Sequence, residues 1–132
     1  MTDPQHRQPF EVRDYECDMQ GVVNNAIYQN YLEHSRHEFM KTMGIDIAEM
    51  ARCRINLVVI RVELDYRRSL VSGDRFIVLT RLERVSKLRF AFHHQIIRDA
   101  DGALMLEGKI IGTVLNEQNR PFLLQPLDAI LG

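Results

Sequence analysis

Cysteine is scarce in this sequence: Cys17 and Cys53 are the whole complement in 132 residues. They form no CxxC pair and no Cys/His cluster, and a small secreted scaffold held by disulfides would carry more. A reducing cytoplasm is the expected setting. Net charge is nearly absent too, with 17 Lys and Arg against 18 Asp and Glu. That balance argues against bulk nucleic-acid binding, which needs a strong basic excess. No apolar run follows the opening MTDPQHRQPF, so neither a signal peptide nor a membrane span is expected. Repeats, low-complexity tracts and Pro/Gly-rich linkers are missing as well. The expectation is one domain over residues 1–132, long enough to bury a core without staples.

The charge that is present is unevenly spread. Residues 1–51 hold nine Asp/Glu against four Lys/Arg, residues 52–98 hold eleven Lys/Arg against four Asp/Glu, and residues 99–132 are acidic again. A basic middle in a neutral chain suits an anionic partner such as a phosphorylated small molecule. It suits a solvated sheet face with scattered arginines equally well.

FEVRDYE alternates apolar and polar residues and reads as a first strand. From Asn24 to about Met43, Ile27, Tyr28, Tyr31, Leu32, Phe39 and Met43 recur near helical spacing, with Ser35 on the same face and Gly44 as a stop signal. DIAEMAR suits a short second helix. INLVVIRVELDYRR, RFIVLTRLERV, KLRFAFHHQIIRD and ALMLEGKIIGTVLN then read as strands joined by short turns, hence antiparallel. PLDAIL suits a closing helical turn. The fold class is α+β: one long central helix wrapped by a curved antiparallel sheet of about five strands.

Chemistry concentrates where the long helix begins. Gly21 permits a tight turn, and Asn24 suits an N-cap, which makes Asn25 and Ala26 the first helical residues. Backbone N–H groups there lack intrahelical acceptors and can stabilise charge developing on a carbonyl oxygen. Asp18, a few residues upstream, can reach the same space as nucleophile or general base. A carboxylate before a helix is also a common turn former, and that reading stays open beside the first.

The stretch YECDMQGVVNNAIYQNYLEHSR resembles the signature of hotdog-fold acyl-CoA thioesterases of the 4-hydroxybenzoyl-CoA thioesterase type. The matching positions are Asp18, Gly21-Val22-Val23, Tyr28, Glu33 and Arg36. LDYRRSLVSGD is similar to the strand-turn segment of that family ending in Gly-Asp, here Gly73-Asp74. Two departures stand out. Asn25 occupies a position where many members of one branch carry His, and Arg68 or Ser69 stands near a frequent proline. The resemblance implies hydrolysis of an acyl-CoA thioester to a carboxylic acid and coenzyme A, with no cofactor and no metal. It implies Asp18 as the catalytic carboxylate and the Asn25 N–H polarising the thioester carbonyl. Gly21, Val23 and Tyr28 would shape the substrate pocket. Arg67, Arg68, Lys87 and Arg89 would meet the coenzyme phosphates, in this family often across a subunit boundary. A homodimer or homotetramer is implied, with acyl-CoA the partner and neither nucleic acid nor membrane. A hotdog hydratase or dehydratase would need a histidine beside the substrate, and the Asp18 loop has none. A non-catalytic acyl-CoA-binding protein is the other alternative.

Remaining candidates have plainer readings. Glu33 and Arg36 are three apart on a helix, spaced for an ion pair. His93 and His94 are neighbours on a strand and so face opposite sides. His34 and His37, one turn apart, suit a solvated helix face. Cys17 suits packing. Phe39, Met40, Met43 and Met50 fit either an acyl tunnel or ordinary core.

Overall fold

The structure, a computed structural model, describes residues 4–131, so residues 1–3 and 132 of the expected domain lie outside the described part. In chain order the elements are β1 (His6–Glu11), a 3-10 turn (Asp14–Glu16), α1 (Asn25–Thr42), α2 (Ile47–Arg52), β2 (Asn56–Tyr66), β3 (Arg75–Arg84), β4 (Phe90–Arg98), β5 (Leu104–Leu115), β6 (Pro121–Phe122) and α3 (Gln125–Leu131). Every strand pairing is antiparallel, and the sheet order is β1-β3-β4-β5-β2. Beyond Gly112, where the ladder to β4 stops at Phe90, β6 takes over the same edge of β5.

Helix α1 begins and stops where its sequence signals. The Asn24 side chain accepts from the Ala26 N–H at 3.0 Å. At the other end Gly44 adopts φ +79°, and the Ile45 N–H reaches back to the Met40 carbonyl at 2.9 Å. This left-handed glycine closure satisfies carbonyls that the helix leaves open. The Asp46 side chain caps α2 by accepting from the Ala48 and Glu49 N–H groups.

One predicted boundary is corrected. The first strand starts at His6 and ends at Glu11, and Asp14-Tyr15-Glu16 coil into a 3-10 turn instead of extending FEVRDYE. The Glu16 carboxylate accepts from the Arg13 N–H, which closes a turn that alternation alone does not reveal. Pro9 sits within β1, an edge strand, where a missing N–H is tolerated.

The buried face of α1 divides its core in two. Tyr28, Tyr31 and Leu32 pack with Leu70, Phe76, Val78 and Ile96; Phe39 and Met40 pack with Met50, Phe90, Phe92 and Val114, and Met43 borders them. Met40 and Met50 are therefore core, and Met43 is half-buried at its margin. Cys17 packs at the margin of the first cluster.

A polar chain crosses the interior between the two. Ser35 Oγ lies 3.4 Å from Thr80 Oγ1, Thr80 Oγ1 lies 3.0 Å from His94 Nδ1, and Arg36 Nη1 lies 3.4 Å from His94 Nε2. Arg36 is 5% exposed and His94 1%. A guanidinium only donates, so His94 accepts at Nε2 and donates from Nδ1 to Thr80. The Glu33–Arg36 ion pair read from spacing does not form: Glu33 faces solvent while Arg36 turns inward. Burial draws the Arg36 guanidinium down to about 10. Burial, then the Arg36 charge, also holds His94 well below the usual imidazole range.

A pH dependence follows. His94 has a lower pKa folded than unfolded, so the unfolded chain binds protons first as pH drops below about 6.5. Stability from this group is complete above that value and declines below it, by at most about 1.4 kcal/mol per pH unit. Tm measured from pH 7.5 to 5 should fall, and His94→Leu should flatten the decline. His37, also lowered chiefly by burial, supplies the residual slope. An unchanged slope in His94→Leu would show that His94 is not the titrating group.

Candidate active site

The loop from Cys17 to Val23 folds back on itself. The Asp18 N–H donates to the Val22 carbonyl at 2.9 Å, and the Gly21 N–H donates to the Asp18 carbonyl at 3.0 Å. Gly21 has φ +82°, a conformation that L side chains resist, so the turn requires a glycine. Cys17 and Val23 form an antiparallel bridge, and the Val23 N–H donates to the Leu70 carbonyl at 2.9 Å. The hairpin is thus stapled to the segment that follows β2.

Asp18 is exposed, yet its carboxylate is oriented. Oδ1 accepts from the Gln20 N–H at 2.9 Å and from the Val22 N–H at 3.4 Å. Turn forming and chemistry are therefore compatible: one oxygen holds the loop, and Oδ2 is left to act. Three residues past Val22, Asn25 opens helix α1. Its neighbour N–H groups are spoken for, Ala26 by the Asn24 side chain and Ile27 by the Asn24 carbonyl. Among the described residues the Asn25 N–H has no hydrogen-bond partner. A carboxylate and a free donor at a positive helix end can act together on a polarised carbonyl.

Val23 and Tyr28 form the wall behind this loop. Both are buried, and Tyr28 Oη accepts from the Leu70 N–H at 2.9 Å. Burial is the main cause of a raised Tyr28 pKa, so the phenol stays protonated. Tyr66, which sequence reasoning passed over, donates its hydroxyl to the Asn25 carbonyl at 3.3 Å and meets Tyr28 edge to face at 5.4 Å. Its place at the end of β2, just before Arg67, was the available signal.

The four cations expected to meet phosphates are not brought together. Arg67 and Arg68 follow Tyr66, at the same end of the sheet as Asp18, and both backbone N–H groups bond to the Met105 carbonyl. Arg67 also lies 3.6 Å from Glu107. Lys87 and Arg89 flank the β3–β4 turn, where the Thr113 hydroxyl donates to the Leu88 carbonyl. Tyr66 pairs with Leu106, seven residues before Thr113 on β5, so the two groups are about 23 Å apart at strand rise. Lys87 and Arg89 instead border a cleft of about 340 Å³ with Ile60, Leu88 and Pro121.

Comparison with known proteins places this geometry in context. The sequence profile of the thioesterase-like superfamily matches residues 12–128. The chain is 40% identical over 116 residues to ATL3, a chloroplastic acyl-acyl carrier protein thioesterase of Arabidopsis thaliana; the match takes in 88% of this chain and 61% of that protein. It is 25% identical over 101 residues to the long-chain acyl-CoA thioesterase FadM of Escherichia coli, covering 76% of each. The chain therefore spans about three fifths of the length of the plant relatives it matches. Among solved structures, the 1,4-dihydroxy-2-naphthoyl-CoA thioesterase of Synechocystis superposes with a TM-score of 0.88 at 15% identity, over 96% of this chain and 94% of that one. The long helix wrapped by an antiparallel sheet is the hotdog fold.

Proposed function

Because this chain belongs to the thioesterase-like superfamily, we propose that it hydrolyses an acyl thioester to a free carboxylic acid and a thiol. The observation that carries the reading is the Asp18 carboxylate, held by two backbone N–H groups beside a helix start whose first N–H is free. In this reading the Asn25 N–H binds the thioester oxygen as charge builds on it. Asp18 either attacks the carbonyl carbon or takes a proton from the water that does. Both routes expel the thiolate, consume one water and leave Asp18 unchanged.

The named relatives act on an acyl-acyl carrier protein in one case and an acyl-CoA in another. Both carriers present the acyl group on a phosphopantetheine thiol, and Arg67 and Arg68, at the same end of the sheet as Asp18, are the cations this reading assigns to its phosphate. Thiol release from a panel of acyl-CoAs and acyl-carrier proteins, aliphatic and aryl, tests the reading. Turnover of any of them supports it and ranks the substrates. Tight binding without turnover of the whole panel would replace it with a binding role.

A homodimer completes the proposal. Strand β2 is a sheet edge of eleven residues with one side unpaired. Val59, Ile60, Val62 and Tyr66 are exposed on it, Val62 at 40% and Tyr66 at 46%. A long apolar edge invites pairing, and two copies of one strand can pair about a two-fold axis. Val62→Arg should convert the dimer to monomer in light scattering and lower activity; an oligomeric state that ignores this change would move the interface elsewhere. The thiols of Cys17 and Cys53 are both free, which fits a reducing compartment. Among the described residues no helix is long and apolar enough to cross a membrane.

A further inference from the structure

We propose that Glu16 and Tyr31 are positioning residues that set the Asp18 loop against the start of helix α1; this rests on the reading of Asp18 as the group acting on the thioester. Glu16 is an acid at 9% exposure, and burying a carboxylate costs free energy unless donors compensate it. Its Oε1 takes two of them: the Tyr31 hydroxyl at 2.8 Å and the Arg13 N–H at 2.8 Å. Its backbone works in parallel. The Glu16 N–H donates to the Arg13 carbonyl at 2.9 Å, and the Glu16 carbonyl accepts from the Asn24 N–H at 3.1 Å. One residue thus joins the strand exit at Arg13, the helix cap at Asn24 and the helix body at Tyr31, two positions before Asp18.

Tyr31 is the fixed end of this clamp. Its ring is buried between Phe10, Tyr28 and Phe76, with centroids 4.8 to 6.2 Å away. Burial, then the bond to Glu16, raises its pKa, so it remains a donor throughout the working pH range. Two hydrogen bonds join the Tyr31 hydroxyl to the residue before Asn25: the hydroxyl donates to Glu16 Oε1, and the Asn24 N–H donates to the Glu16 carbonyl. A shift of the Glu16 turn would move Asp18 relative to Asn25, and a misplacement of about 1 Å can cost roughly 10²-fold in rate.

Tyr31→Phe removes the hydroxyl and keeps the ring, so it tests the clamp even where Glu16→Ala fails to fold. The measurements are kcat and KM per folded molecule, together with amide exchange at Gln20 and Val22, whose N–H groups bond to Asp18 Oδ1. Both variants should lower kcat by roughly 10- to 10²-fold with KM within about threefold. Glu16→Gln should recover most of the loss, because its amide oxygen still accepts from both donors. Glu16→Ala with Tyr31→Phe should be no slower than Glu16→Ala alone, as expected of two ends of one contact. Exchange at Gln20 and Val22 should quicken in the damaged variants and not in Glu16→Gln. Wild-type kcat and exchange in Tyr31→Phe would overturn the proposal, as would a loss confined to the unfolded fraction. If the wild type turns over no thioester, the Asp18 reading falls by itself, and the exchange data still decide whether the clamp positions the loop.

Discussion

Asp18→Asn is expected to lower kcat by about 10³-fold, within the range that a positioned base or nucleophile contributes. The amide keeps an oxygen where Oδ1 now accepts from Gln20 and Val22, so the loop survives the change. What it loses is the negative charge and the basicity of the free oxygen. Asp18 is exposed, so stability should change by no more than about 0.5 kcal/mol and KM should hold. Asp18→Ala makes the useful contrast. It removes the turn contacts as well, and should lower Tm in addition to activity. Pre-steady-state thiol release separates chemistry from product release in both variants. A wild-type rate in Asp18→Asn would leave the carboxylate as a turn former and nothing more.

Gly112→Ala should be the most damaging single methyl added to the sheet. Gly112 lies on β5 between Phe90 of β4 and Val59 of β2. A Cβ there would meet the Val58 carbonyl oxygen at 2.9 Å and the Phe90 ring at 3.5 Å. The nearer obstacle is backbone of a paired strand, so relief requires prising β2 from β5. Overpacking of this kind costs about 3 kcal/mol. At Gly108 the nearest atom is Leu64 Cδ2 at 2.5 Å, the far end of a flexible side chain, with the Glu63 carbonyl next at 3.1 Å. Gly108→Ala should therefore cost less, about 1 kcal/mol. Urea unfolding of the two variants settles the order. Equal losses would mean that β2 can yield as readily as a leucine tip.

The elements that sequence reasoning located best are those whose signals are local. Asn24 caps α1 through its own side chain, and Gly44 ends it by adopting a conformation few other residues tolerate. Runs rich in β-branched and aromatic residues, divided by short polar turns, located β2 through β5. Reasoning went astray where a distant partner decides. Asp14–Glu16 alternates like a strand, but Glu16 is drawn into a turn by Arg13 and Tyr31. Arg36 sits three residues from a carboxylate and spends its charge on His94, 58 positions away. The site itself was half legible. Asp18, Gly21 and the helix start stand in one short stretch, whereas Tyr66 reaches Asn25 only once β2 has been laid across the sheet.

That placement of β2 also governs the order in which the chain can be completed. β3, β4 and β5 are a meander whose turns are short, so their pairings close early. β2 precedes all three in the chain but joins the sheet beside the last of them. Its ladder to β5 spans a contact of high sequence separation, the kind that slows folding because loop entropy is lost before the contact forms. A growing chain therefore carries β2 without its partner until β5 has been made. During that interval the apolar side chains of Val59, Ile60 and Val62 stand on a strand without its β5 partner, and synthesis is when this protein is most open to aggregation.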